Sequence, residues 1–217
     1  MGMQSKSSRV RALSFEQCEE RILTTLVFVL NGNAFGAAAP TSLTARAAQI
    51  LRNAGHQAVQ VAYPTMATPV AFESLVRQIK TLSDGQTIGI VGFSAGGPLA
   101  LRLATDPALH AAAVLNYYGP LDLNDYIQYR KSDRFTRYIR QHAPLNRAAI
   151  NLLSGPITTS AHVVSAFGSN DRNVVATQSV HSLGRDLPQG SSYLYAGGHG
   201  VGISACPPAL NEFLANL

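Results

Sequence analysis

The sequence predicts a doubly wound α/β fold, a mostly parallel sheet with helices on both faces, and three observations carry that prediction. Strand-like and helix-like patterns alternate along the chain, as they must where each parallel strand is followed by a crossover helix. The run Leu26–Leu30, LVFVL, is apolar at every position, which suits a strand covered on both faces better than one half-exposed to water. Residues 87–101, TIGIVGFSAGGPLAL, pass from a β-branched apolar run through Gly92-Phe93-Ser94-Ala95-Gly96 straight into helix-forming residues.

Taken in order, residues 1–8 read as a loose polar terminus and residues 10–15 as a marginal edge strand. LVFVL ends at Asn31-Gly32-Asn33-Ala34-Phe35-Gly36. Thr41 or Ser42 then caps a helix whose apolar positions Leu43, Ala47, Ile50, Leu51 and Ala54 recur at helical spacing, with Gly55 as its stop. Residues 57–63 alternate like a strand. Thr68 caps a second helix with Pro69 at its first position, one face carrying Phe72, Leu75, Val76, Ile79 and Leu82, and Ser83-Asp84-Gly85 ends it. Residues 111–117 form the strand after the 87–101 unit, closed by Gly119-Pro120.

Between residues 121 and 160 the rhythm breaks, and a helix-compatible stretch rich in tyrosine and arginine reads as an insertion over the sheet. A buried strand returns at 162–167, ending in Gly168-Ser169-Asn170-Asp171; residues 174–187 are helical, 191–195 form the last strand, and Gly197-Gly198-His199-Gly200 follows. Pro207-Pro208 opens a terminal helix that runs to Leu217. With no repeat, low-complexity tract or long linker, the expectation is one domain over residues 1–217 with a helical cap at 121–160.

Composition narrows the function classes. A chain of 217 residues with 46% hydrophobic and 13% charged residues supports one substantial core. No apolar run approaches the roughly 20 residues that span a bilayer, so no membrane span is expected. Arg21, the apolar residues 22–30 and Ala37-Ala38-Ala39 resemble a leader, but Glu16, Glu19 and Glu20 spoil its basic region and cleavage would discard LVFVL; the expected location is cytoplasmic. Cys18 and Cys206 lie far apart, which suggests neither a disulfide framework nor a metal site, and the histidines lack close ligand spacing. No metal or cofactor is expected. The net charge of +5 is concentrated in six basic residues, Arg130, Lys131, Arg134, Arg137, Arg140 and Arg147, against Asp133, and no nucleic-acid motif accompanies them.

The chemistry centres on Ser94. In a G-x-S-x-G turn between strand and helix the serine is forced into a strained backbone geometry, and the flanking glycines leave room for backbone that passes too close for side chains. A serine is a weak nucleophile at neutral pH and needs a base, with a carboxylate to hold that base in the right tautomer. His199 follows the last strand and Asp171 the strand before it, so loops at the carboxyl ends of parallel strands can bring them together across 77 and 28 residues of chain. Asp122, after the 111–117 strand, is the rival acid. His56, His110, His142, His162 and His181 read as structural or solvated, and Asp84, Asp106 and Asp186 as turn or cap residues.

On the elbow GFSAGG, the acid loop GSND and the base loop GGHG, in the chain order Ser, Asp, His, the sequence resembles the α/β-hydrolase superfamily over residues 22–217, and most of all its dienelactone-hydrolase-like and small carboxylesterase branches. Dienelactone hydrolases usually carry cysteine where this chain has Ser94, so the resemblance implies fold more than substrate. It implies a serine hydrolase that cleaves an ester or thioester of a small to medium acyl group: Ser94 attacks, His199 relays the proton, Asp171 orients it, and water releases the acyl-enzyme. It also implies an oxyanion hole from the backbone of Ala95 and of the loop after LVFVL, assigned to Asn33 with Ala34 as second choice, where the family often reads HGGG. A non-hydrolytic acyl-binding protein and a lyase or acyltransferase are the alternatives on the same fold. If Arg130, Arg134 and Arg137 with Tyr126, Tyr129 and Tyr138 form a lid, the substrate is anionic; a solvated helical face is the expected reading of that stretch.

Overall fold

The computed structural model describes residues 24–66, 68–129, 137, 141, 146–177, 179, 184, 185, 187 and 189–217. As its unbroken apolar run requires, β1 (Leu26–Leu30) is buried at all five positions and lies inside the sheet, between β2 (Gln57–Val61) and β3 (Ile88–Phe93). β4 (Ala111–Tyr117), β5 (His162–Gly168) and β6 (Ser191–Tyr195) continue beyond β3, giving the order β2-β1-β3-β4-β5-β6 with every pairing parallel. Period-two alternation divides the strand side chains between two cores. Val27, Val29, Val91 and Phe93 pack with α1 (Ser42–Asn53) and the C-terminal helix, and Phe28, Leu30 and Ile90 with α2 (Pro69–Ser83) and α3 (Gly96–Leu103).

Local signals account for most boundaries. Thr41 caps α1: its hydroxyl accepts the Thr44 amide at 3.3 Å while its own amide donates to the Thr44 hydroxyl at 2.8 Å, the reciprocal arrangement of a capping box. Ala54, expected on the apolar stripe, is the exposed C-cap instead. Thr68 makes no side-chain cap; Pro69 alone starts α2. Within α2 the stripe Phe72, Leu75, Ile79 continues to Ser83, four residues on, and Leu82, turned about 100° away from Ser83, is 47% exposed.

The 121–160 segment contributes α4 (Leu123–Tyr129) and α5 (Arg147–Leu152). Residues 1–8, the expected strand at 10–15, Cys18, Arg130, Lys131, Asp133, Arg134, Tyr138, Arg140, His142, His181 and Asp186 lie outside the described residues, as does part of the helix expected at 174–187. Arg137 and Arg147 are exposed, whereas Tyr126 is buried at 1% exposure in the core rather than displayed on a lid. Among the described residues no helix is long and apolar enough to cross a membrane.

α6 (Pro207–Ala215) is tied to the opposite end of the sheet from the strand termini that carry the site. Glu212 accepts from the Tyr193 hydroxyl, and its other oxygen lies 2.6 Å from His162 Nε2. Burial alone would raise the pKa of this carboxyl; hydrogen bonds from Ser191, Tyr193 and His162 outweigh it and hold the group below the ordinary value of 4.5. A depressed folded-state pKa means stability that is present above the unfolded value and lost as pH falls through the folded one. Glu212→Gln is therefore expected to lower stability by about 1 kcal/mol at neutral pH, with the gap to wild type narrowing below about pH 4.5 in urea titrations.

Candidate active site

Because all six strands run parallel, the loops after β1, β3, β4, β5 and β6 share one edge of the sheet. The chain leaves β1 toward β2 on one side and returns to β3 on the other, so the loops after β1 and β3 meet at the switch point, where open α/β sheets place their ligands.

Ser94 follows β3 with φ of 52°, the strained left-handed geometry that the glycine pattern predicts. Its amide donates to the Tyr117 carbonyl at 3.0 Å and its carbonyl accepts from Gly97 at 2.9 Å, so the turn is held from both sides. The flanking glycines mark close backbone approach. A Cβ on Gly92 would lie 2.2 Å from the Gly96 carbonyl oxygen, and one on Gly96 would lie 2.7 Å from the Leu30 and Asn31 carbonyls. That last contact joins the elbow to the loop after β1.

Asp171 sits in the loop after β5, 6% exposed. One carboxylate oxygen accepts the amides of Asn173 at 2.7 Å and Val174 at 3.0 Å; the other lies 2.8 Å from His199 Nδ1. The tautomer that matches both contacts has Nδ1–H donating to the carboxylate oxygen, which leaves Nε2 as an acceptor. Nε2 lies 2.8 Å from Ser94 Oγ. The acid and base loops are tied together directly, Ser169 donating to the Tyr195 carbonyl at 3.0 Å and Asn170 to the Gly197 carbonyl at 2.9 Å. The structure thus brings Ser94, His199 and Asp171 into one hydrogen-bonded line.

Asp122, the rival acid, is engaged elsewhere. It caps α4 through the Asp125 amide at 2.8 Å, accepts the Gly155 amide at 2.9 Å and pairs with Arg185 at 2.9 Å. Of the described histidines, His162 belongs to the Glu212 cluster, and His110 occupies a left-handed turn before β4. His56 is held below its usual pKa by burial.

The loop after β1 carries three successive left-handed residues, Asn33 at φ 113°, Ala34 at 49° and Phe35 at 67°. The Asn33 side chain donates to the Ala37 carbonyl at 2.6 Å, a local turn contact. Ala34 is buried and shares a cavity wall with Ser94 and Ala95, a cavity to which Asn33 does not contribute. Among the described residues neither the Ala34 nor the Ala95 amide donates to a protein acceptor. The loop is braced by the strip beyond β2: Ala38 and Tyr63 exchange backbone hydrogen bonds at 2.9 and 3.0 Å, and the Tyr63 hydroxyl donates to the Asn31 carbonyl. Burial pushes the Tyr63 phenol well above its usual pKa, so it stays a donor.

Two tyrosines escape sequence reasoning. Tyr63 is one; the other is Tyr118, whose ring centroid lies 4.5 Å from that of His199 and which is 1% exposed in a left-handed turn at φ 44°. Behind it Phe93, Tyr117 and Tyr195 complete an aromatic wall. A Tyr-Tyr pair closing a buried strand just before Gly-Pro is the signal that marks Tyr118 in the sequence.

A model of the dienelactone hydrolase family matches residues 35–187. No curated protein matches the chain in sequence. Among solved structures, the bifunctional GH43-CE protein of Bacteroides eggerthii is similar with a TM-score of 0.68 at 18% identity, covering 88% of this chain and 34% of its own, so this chain spans about a third of that protein's length. The esterase of Pyrobaculum calidifontis is similar at TM-score 0.66 and 16% identity, covering 88% and 75%. An esterase/lipase from an uncultured bacterium follows at 0.65 and 15%, covering 89% and 74%. These likenesses are of fold. With a family model that covers well over half of the sequence and includes both the elbow and the acid loop, the chain belongs to the dienelactone hydrolase family.

Proposed function

We propose that this hydrolase cleaves esters or thioesters of small acyl groups by covalent catalysis at Ser94. Ser94 Oγ attacks the carbonyl carbon and its proton passes to His199 Nε2; the tetrahedral oxyanion is held by the amides of Ala95 and of the Asn33-Ala34 stretch, with Ala34 the better placed because it shares the cavity with Ser94. The C–O or C–S bond to the leaving group then breaks, and the leaving group takes the proton from His199. Water, deprotonated by the same nitrogen, hydrolyses the acyl-enzyme and returns the proton to Ser94. Asp171 keeps the imidazole in the tautomer with Nδ1 protonated and faces the charge that develops on it.

The observation that carries this reading is the line Asp171–His199–Ser94, with both links 2.8 Å long. Its acid is anchored by two backbone amides, and its base lies against an aromatic ring, so neither is free to swing away. The expected result is a single fluorophosphonate adduct on Ser94, located by mass spectrometry, and hydrolysis of a chromogenic acetate ester that the adduct abolishes. Labelling elsewhere, or turnover that survives full modification of Ser94, would overturn the assignment. The cytoplasm belongs to the same proposal as its site of action, on the reading of the two widely separated cysteines.

A further inference from the structure

We infer that the acyl group this site accepts is about two carbons long, so that the substrates are acetyl esters; the inference rests on the Ser94 reading above. Beside Ser94 is a cleft, partly open to solvent, whose walls among the described residues are Ala34, Phe35, Ala95, Pro120, Tyr126 and Val174, and whose inner space for the centre of a water is about 10 Å³. That is room for about one water molecule, and so for one methyl group. The leaving group must receive the proton of His199 Nε2, so it lies on the histidine side of the serine. His199 is absent from the cavity wall, whereas both Ala34 and Ala95 belong to it, which makes the cavity the acyl side.

The wall has little freedom to give way, because the contacts that hold the site also hold it. Val174 is 1% exposed and its amide donates to Asp171 at 3.0 Å, so a shift of Val174 would disturb the carboxylate behind His199. Tyr126 is equally buried, its hydroxyl donating to the Asn173 carbonyl at 2.5 Å. Phe35 is 1% exposed and its carbonyl accepts the Met66 amide at 2.9 Å. Pro120 is fixed by its ring. A methylene beyond acetyl either displaces one of these groups from a close-packed interior or is turned out through the open side of the cleft, where it gains no burial.

The test is a chain-length series of p-nitrophenyl esters. Wild type is expected to lose roughly 10-fold or more in kcat/KM from acetate to butyrate, and further at octanoate, the scale on which a tight pocket resolves single methylenes. Val174→Ala keeps the backbone amide that Asp171 accepts while removing two methyl groups from the wall, and is expected to narrow the acetate-to-butyrate ratio several-fold. Tyr126→Leu, which opens a different wall, should move the ratio the same way and guards against a folding defect in either variant. Equal rates on acetate and butyrate, or ratios unchanged in both variants, would overturn the acetyl assignment while leaving the Ser94 mechanism standing. Failure to turn over any ester, with no adduct on Ser94, would remove both.

Discussion

Asp171→Asn is expected to lower kcat for an acetate ester by about four orders of magnitude, and His199→Ala by at least as much, with far-UV circular dichroism unchanged. The magnitude follows from the tautomer argument. Asp171 Oδ2 receives the Nδ1 proton at 2.8 Å; an amide that offers its NH2 in that place would favour the imidazole with Nε2 protonated, and that nitrogen could no longer take the Ser94 proton. On the proposed mechanism the three groups act as a unit, so the double variant should be little worse than the weaker single one. Asp122→Asn is the matching control. Its carboxylate is occupied by Arg185 and two backbone amides of the insertion, so its loss should lower the unfolding midpoint and leave turnover measurable. Wild-type kcat in Asp171→Asn, or activity lost equally in Asp122→Asn, would contradict the roles assigned to the two acids.

Gly92→Ala is expected to cost about 3 kcal/mol of unfolding free energy or more, read as a drop in urea midpoint. The added Cβ would lie 2.2 Å from the Gly96 carbonyl oxygen and 2.8 Å from the Gly97 Cα. Both are backbone atoms of the turn that carries Ser94, so relief requires the elbow itself to move. Gly85 offers the comparison: it is left-handed at φ 73°, a Cβ at that position would meet nothing within 4 Å, and Gly85→Ala should cost only the conformational strain of about 1 kcal/mol. The larger loss at Gly92 would separate collision from strain. Equal losses at the two positions would show that the collision is relieved without moving the elbow.

Much of this architecture is written locally. LVFVL could only be an interior strand because no face of it tolerates water, and a serine between glycines at the junction of strand and helix could only be a tight turn, since the period of the pattern changes from two to 3.6 there. The Asp171 and His199 loops were legible for the same reason, as turns at the ends of consecutive strand patterns. The sequence by itself therefore determined the alternating fold, the position of the tight turn that carries Ser94, and the chain order of the Asp171 and His199 loops. Only the tertiary structure decided which acid faces His199, since Asp122 and Asp171 both follow strands and are told apart by contacts 33 to 63 residues away in one case and 28 in the other. Tertiary contact likewise set Tyr118 against His199 and drew the cleft wall from the loops after β1, β4 and β5 and from α4, because side chains from separate strands acquire a common wall only when the sheet has formed.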